Sequence, residues 1–235
     1  MAERKNIVVL TGAGISAESG ISTFRDQGGL WEGYDIEDVA TPQAFERQPE
    51  TVLEFYNERR RKVKDAEPNE GHKALAKLEE QHDVTVITQN IDDLHERAGS
   101  TNVVHLHGQI KQAKSSGDPS LIYDISTEDI KMGDKCKKGY QLRPHVVWFG
   151  EPVPMMEKAM RISSEAEVFM VVGTSLAVYP AASLIDFVPL EAVKYIIDKQ
   201  IPAVGNVKNL KTYELPATEG VPKVLEELME GEKSD

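Results

Sequence analysis

Short, nearly unbroken runs of Val, Ile and Leu recur along the chain, separated by longer stretches whose apolar residues are spaced as on helices. The runs predict strands at 6–11, 84–88, 103–106, 145–149, 168–173, 193–198 and 203–206. Unbroken rather than alternating apolarity is the pattern of strands covered on both faces. Helices are expected at 42–65, 70–82, 91–99, 154–165 and 220–230. Strands alternating with helices predict an α/β fold, a doubly wound parallel Rossmann-like sheet. Two stretches interrupt the alternation. Residues 30–71 carry a long helical pattern with no second strand, and 109–142 are rich in Lys, Ser, Asp and Gly with little periodicity. Both read as excursions forming a smaller inserted domain. A single unit over 1–235 then divides into a sheet part at 1–29, 72–108 and 143–230 and a small part at 30–71 and 109–142.

Composition narrows the class of protein. With 235 residues, 40% of them hydrophobic, the chain can bury a substantial core. A formal net charge of -12 argues against nucleic acid as a partner, because phosphate neutralisation needs clustered Lys and Arg. No apolar run approaches the roughly 18 residues of a membrane span, and the run at 7–10 is too brief for a signal peptide. The lone Cys136 cannot form an internal disulfide. A cytoplasmic monomer away from membranes is expected.

The first strand runs into Gly12-Ala13-Gly14-Ile15-Ser16-Ala17, which matches the glycine pattern of dinucleotide-binding turns. Glycines there allow a tight turn and close approach of backbone to a pyrophosphate. A dehydrogenase would also place an acidic residue at the end of a second strand about 20 residues on. Asp35 and Asp38 have that spacing but no strand before them, so hydride transfer loses ground. Gly173-Thr174-Ser175-Leu176-Ala177 resembles a nucleophile elbow but ends in Ala. Four polar segments instead stand at or beyond strand ends: 12–25, 88–92, 105–108 and 173–175. In open α/β sheets that edge lines the ligand crevice, so a shared ligand explains them better than packing.

In sequence these segments are Gly12-Ala13-Gly14-Ile15-Ser16-Ala17-Glu18-Ser19-Gly20-Ile21, Thr23-Phe24-Arg25, Thr88-Gln89-Asn90-Ile91-Asp92 and His107-Gly108. Together with 143–151 and 173–180, they closely resemble the sirtuin family of NAD-dependent protein deacylases. The resemblance implies NAD as cofactor and acyl-lysine proteins as substrates. It implies that Gly12, Ala13, Gly14 and Ala17 wall the diphosphate, and that Phe24 and Arg25 belong to a loop closing over the cofactor. Gln89, Asn90 and Asp92 would line the ribose and nicotinamide region. Gly173, Thr174 and Ser175 would face the adenosine, with Asp198 toward its adenine end, and Ala217 would also belong to the cofactor site. His107 would be the general base, a role suited to an imidazole neutral near pH 7, with Asn90 beside it. Val147, Trp148, Phe149 and Gly150 would lie on the substrate side. The implied products are lysine, nicotinamide and O-acyl-ADP-ribose.

Tyr56 and Arg59 are spaced i, i+3 on one predicted helix face. Alone the pair reads as a solvated face. Within the resemblance it looks like the Tyr-x-x-Arg signature of the class III branch, which recognises succinyl and malonyl groups. A guanidinium fork binds a carboxylate bidentately and a phenol adds a third donor. Plain deacetylation or mono-ADP-ribosyl transfer on the same fold are the alternatives, and a noncatalytic NAD or ADP-ribose sensor is a third. The family's two cysteine pairs, which hold a structural zinc, are missing: 109–142 contains only Cys136 and no histidine. A small domain without zinc is expected, held by packing of Leu121, Ile122, Tyr123, Ile125, Ile130 and Met132.

Overall fold

A computed structural model describes residues 4–23 and 33–230, with side chains up to 229. Five runs rich in Val, Ile and Leu supply five strands of a six-stranded sheet: β1 (Asn6–Thr11), β2 (Asp83–Thr88), β3 (Val103–His105), β7 (Val168–Val172) and β8 (Val193–Asp198). With β9 (Leu210–Glu214) the order is β3-β2-β1-β7-β8-β9, and every pairing is parallel. Alternate residues of β1 enter different cores. Ile7 and Val9 pack with α5 (Glu70–Leu78) and α8 (Ala217–Glu230), while Val8 and Leu10 pack with Ala159 of α7 (Met156–Ser164) and the 3₁₀ helix Ala181–Phe187. Burial on both sides is why these strands read as continuous apolar runs.

Register makes the crevice. Thr11 stands opposite Thr88 and Val172, Thr88 opposite His105, and Val172 opposite Ile197. The carboxyl ends therefore finish at nearly one level, and the turns after β1, β2, β3, β7 and β8 open on the same edge. The chain leaves β1 for β2 on one side, and β7 lies on the other, so the strand order reverses beside β1. Ligands of open α/β sheets bind at such a switch point.

The second sheet corrects two expectations. The strand expected at 145–149 is β6 (Leu142–Val146), and it does not join the parallel sheet. It pairs antiparallel with β4 (Gly108–Ser115), which also pairs antiparallel with β5 (Ile122–Asp124). The stretch after 109, read as aperiodic, thus holds two strands. β4 buries only Ile110, Ala113 and Ser115, so its apolar signal is thin. The strand expected at 203–206 is also corrected: the edge strand is β9, whose Lys211, Thr212 and Glu214 are exposed.

The helix expected over 42–65 is two, α3 (Pro42–Arg47) and α4 (Pro49–Asp65). Pro49 starts the second, and Gln48 before it takes φ -146° and ψ 64°, as a residue preceding proline avoids the helical region. The remaining short helices are α1 (Ala13–Ala17), α2 (Ile36–Val39) and α6 (Leu94–Ala98). Packing of the small sheet differs from expectation. Ile130 is buried and Ile125 partly so, but Ile122 and Met132 are nearly half exposed. The link to α4 is largely polar. Asn57 donates to the carbonyl of Ile130 and accepts from its N–H, both at 3.0 Å, and Arg60 donates to Asn57 Oδ1 and to the carbonyl of Ile110. Ser115 Oγ, buried, accepts from the N–H groups of Gly117 and Asp118. Among the described residues no group of three His, Cys, Asp or Glu side chains could hold a metal ion, and no helix is long and apolar enough to cross a membrane.

Candidate active site

The glycines of the first turn are required by a neighbouring backbone. Gly12 N–H donates to the Val172 carbonyl and Gly14 N–H to the Gly173 carbonyl. A Cβ on Gly14 would stand 2.6 Å from Gly173 Cα, and one on Gly12 would stand 2.7 Å from Thr174 Cβ. Gly173 itself takes a φ of 62°, and a Cβ there would lie 2.3 Å from the amide of Ile15. The turns after β1 and β7 therefore interlock backbone against backbone, leaving Ala13, Gly14 and Ala17 on the wall of a cavity of about 950 Å³.

Beyond β2, Asn90 and Asp92 are buried and joined through Ser16. Asn90 donates from its side-chain amide to the Gly12 carbonyl at 3.0 Å and to Ser16 Oγ at 3.1 Å. Its own N–H donates to Thr88 Oγ1. Ser16 Oγ donates to Asp92 Oδ2, and Asp92 Oδ1 accepts from the N–H of Leu94. Burial raises the Asp92 pKa from its ordinary value, with those two donors opposing. Gln89 reaches across to Thr174 Oγ1 at 3.2 Å.

His107 sits just past β3, where the chain turns sharply into the small sheet. Gly108 after it has φ 82°, and a Cβ there would lie 2.1 Å from the His145 carbonyl oxygen, so only glycine fits the corner. His107 Nδ1 is 2.9 Å from the carbonyl oxygen of Gln89. A carbonyl only accepts, so Nδ1 carries the proton and Nε2 is the basic nitrogen. Burial lowers the pKa of this imidazole, and the Gln89 carbonyl partly offsets that. At neutral pH the ring is neutral and can accept a proton.

Side chains line the other end. Tyr56 and Arg59, one turn apart on α4, border the cavity with Val147, Trp148, Phe149 and Gly150. Burial raises the pKa of Tyr56 far above that of an ordinary phenol, so its hydroxyl keeps its proton. Arg59 is 7% exposed and stacks over Phe55 at 5.8 Å. Thus one cavity brings together Gly12, Ala13, Gly14, Ala17, Gln89, Asn90, Asp92, His107, Gly173, Thr174, Ser175, Asp198 and Ala217 with the Tyr56 group. Phe24 and Arg25 lie outside the described residues. Sequence reasoning passed over Ser16, which joins Asn90 to Asp92, and Glu18, which accepts from Lys199 and from the Thr218 hydroxyl. Both lie within the glycine-turn motif, and their polarity at buried or crevice-lining positions was the available signal.

A parallel sheet with a ligand crevice at its switch point, floored by interlocked glycine turns, defines a Rossmann-type nucleotide-binding protein. The chain belongs to the Sir2 family, whose model matches residues 12–180. A protein of Bacteroides thetaiotaomicron named NAD-dependent protein deacylase is 51% identical over 225 residues, covering 94% of this chain and 96% of that one. A solved Sir2 homologue in complex with ADP-ribose superposes with a TM-score of 0.89 at 40% identity, covering 97% of this chain and 94% of the other. A Sir2 homologue–NAD complex gives 0.86 at 40% identity, covering 96% and 90%.

Proposed function

We propose that the chain is an NAD-dependent protein-lysine deacylase that prefers acidic acyl groups, succinyl or malonyl, over acetyl. The residues present fit the dinucleotide. A main-chain wall that a Cβ on Gly14 could not share, carboxamide and carboxylate groups at Asn90 and Asp92 for amide and hydroxyl partners, and a crevice about 950 Å³ in volume suit a long, polar ligand. Gly12 to Ala17 and Gly173 to Ser175 would hold its diphosphate and adenosine side, and Gln89, Asn90 and Asp92 its ribose and nicotinamide side. Bound NAD would supply the electrophilic ribose carbon for the acyl oxygen, with nicotinamide as the leaving group and water completing the release of lysine and O-acyl-ADP-ribose.

The chain's own residues orient and deprotonate. Asn90 is fixed by Gly12, Ser16 and Thr88, so its position needs no reorganisation on binding. His107 Nε2 receives a hydroxyl proton, and the Gln89 carbonyl holds the ring in the tautomer that allows it. Arg59 and Tyr56 offer a guanidinium fork and a phenol to the far carboxylate of a succinyl or malonyl chain.

The observation that carries the reading is the convergence of a neutral His107, the Asn90–Ser16–Asp92 network and the Tyr56–Arg59 pair on one cavity. Nicotinamide release should be measured with acetyl-, malonyl-, succinyl- and glutaryl-lysine versions of one peptide, for the parent and for His107→Ala. The reading expects NAD-dependent release, fastest on the acidic groups, and its loss in the variant while NAD still binds. Unchanged turnover in His107→Ala would refute the assignment of the base.

A further inference from the structure

We propose that Trp148 is a positioning residue for acyl recognition, its indole N–H fixing the direction in which the Tyr56 hydroxyl donates. The inference rests on the acidic-acyl preference proposed above. Trp148 Nε1 lies 3.0 Å from Tyr56 Oη, with Trp148 2% and Tyr56 0% exposed. An indole N–H can only donate, so the phenol oxygen must accept from it. The phenol's own proton is thereby turned away from the indole.

The indole is held for this task. Arg143 Cζ lies 3.2 Å from the centre of its ring, and Phe45 packs at 5.4 Å between ring centres. The same Arg143 forms a two-pronged bridge to Glu151 at 2.8 and 3.0 Å, and Glu151 Oε2 accepts from the main-chain N–H of Trp148 at 2.8 Å. One ion pair thus fixes both the ring and the backbone of Trp148. A two-pronged guanidinium–carboxylate pair is directional as well as strong. Charge agrees with the assignment: among the described residues, the guanidinium groups of Arg59 and Arg143 act on Tyr56 together with the carboxylate of Glu151. Phenylalanine could occupy the stack beside Arg143 and Phe45. Only tryptophan also supplies the N–H.

The test measures kcat and KM on acetyl- and succinyl-lysine forms of one peptide for the parent, Arg59→Met, Trp148→Phe, Tyr56→Phe and the double variant Trp148→Phe/Tyr56→Phe. Trp148→Phe should lower the succinyl-to-acetyl ratio of kcat/KM about tenfold through KM, as expected when a donor to a charged group is misdirected. Tyr56→Phe should do the same, and the double variant should fall no further than the lower single, because the two side chains act as one unit. A ratio within about twofold of the parent in Trp148→Phe, additive losses in the double variant, or equal loss on both peptides would each overturn the inference. Failure of the underlying preference looks different. The parent would then turn over no succinyl peptide, or Arg59→Met would lower both substrates alike, and the inference would fall with it.

Discussion

Replacing Asn57 with alanine would cut the polar link that fastens the small sheet to α4. Its side chain makes three buried hydrogen bonds: both main-chain groups of Ile130 at 3.0 Å and Nη1 of Arg60 at 2.7 Å. Asn57, Arg60 and Ile130 are each 3% exposed or less, so water cannot replace what is lost. Arg60 makes the loss more serious. Burial lowers its pKa to about 10, with Asp129 opposing, so it remains a cation at neutral pH. Among the described residues no acceptor meets its Nη2. Without Asn57 its remaining hydrogen bond is Nε to the Ile110 carbonyl at 2.8 Å. Leaving a buried donor or acceptor unmade costs about 1–3 kcal/mol, more where a charge is involved. Three coupled losses that partly relax amount to about 3–5 kcal/mol, a large share of the roughly 5–15 kcal/mol that holds a folded domain. At about 2–4 °C per kcal/mol for a chain of this length, the melting midpoint should fall by about 6–20 °C. Urea unfolding and thermal melts of parent and variant measure this, and limited proteolysis shows whether cleavage begins within 109–142. Asn57→Asp, which keeps an acceptor beside Arg60 but cannot donate to Ile130, should recover part of the loss. A destabilisation below about 1 kcal/mol with unchanged proteolysis would refute the polar-link argument.

Two further expectations concern acid and metal. His72 and His95 are buried with ring centres 4.9 Å apart, and burial lowers both, His72 to about 4. The unfolded chain binds protons on these rings near pH 6.5 and the folded chain does not. Their contribution is therefore fully present above pH 6.5 and lost as pH falls toward 4, with His72 alone accounting for about 2 kcal/mol between pH 7.5 and 5. A urea midpoint unchanged over that interval would contradict it. The small sheet is proposed to stand without zinc, so exhaustive chelation should leave the melting midpoint unmoved, and elemental analysis should find well under one equivalent; tightly bound stoichiometric zinc would overturn this.

What could be read from the chain follows from where the physics is local. Strands β1, β2, β7 and β8 are buried on both faces, and their runs of Val and Ile declare it. β9 lies at the sheet's edge with Lys211, Thr212 and Glu214 in solvent, so no apolar signal marks it, whereas the more apolar 203–206 forms no strand. β4 turns only three side chains inward and looked like a loop. The run at 145–149 is apolar because Val146 and Trp148 face the α4 core, not because it joins the parallel sheet. The site was more legible than the small sheet, since Gly12, Asn90, His107 and Gly173 stand at strand ends in recognisable motifs. The Arg143–Glu151 and Trp148–Tyr56 pairs were not legible, because nothing local in the chain announces a partner 8 or 92 residues away.

The interlocked turns at Gly14 and Gly173 leave two unequal ends to the cavity. At the dinucleotide end the wall is main chain against main chain, and a single added methyl meets backbone that has nowhere to go. Drift in that wall is therefore closed to small steps. At the far end, Tyr56 and Arg59 on α4 and Trp148 after β6 present side chains rather than main chain, and the Tyr56–Trp148 pair changes as one unit. The proposed recognition of the acyl end by Tyr56 and Arg59 would place any redesign of acyl preference on α4, apart from the main-chain wall at the dinucleotide end.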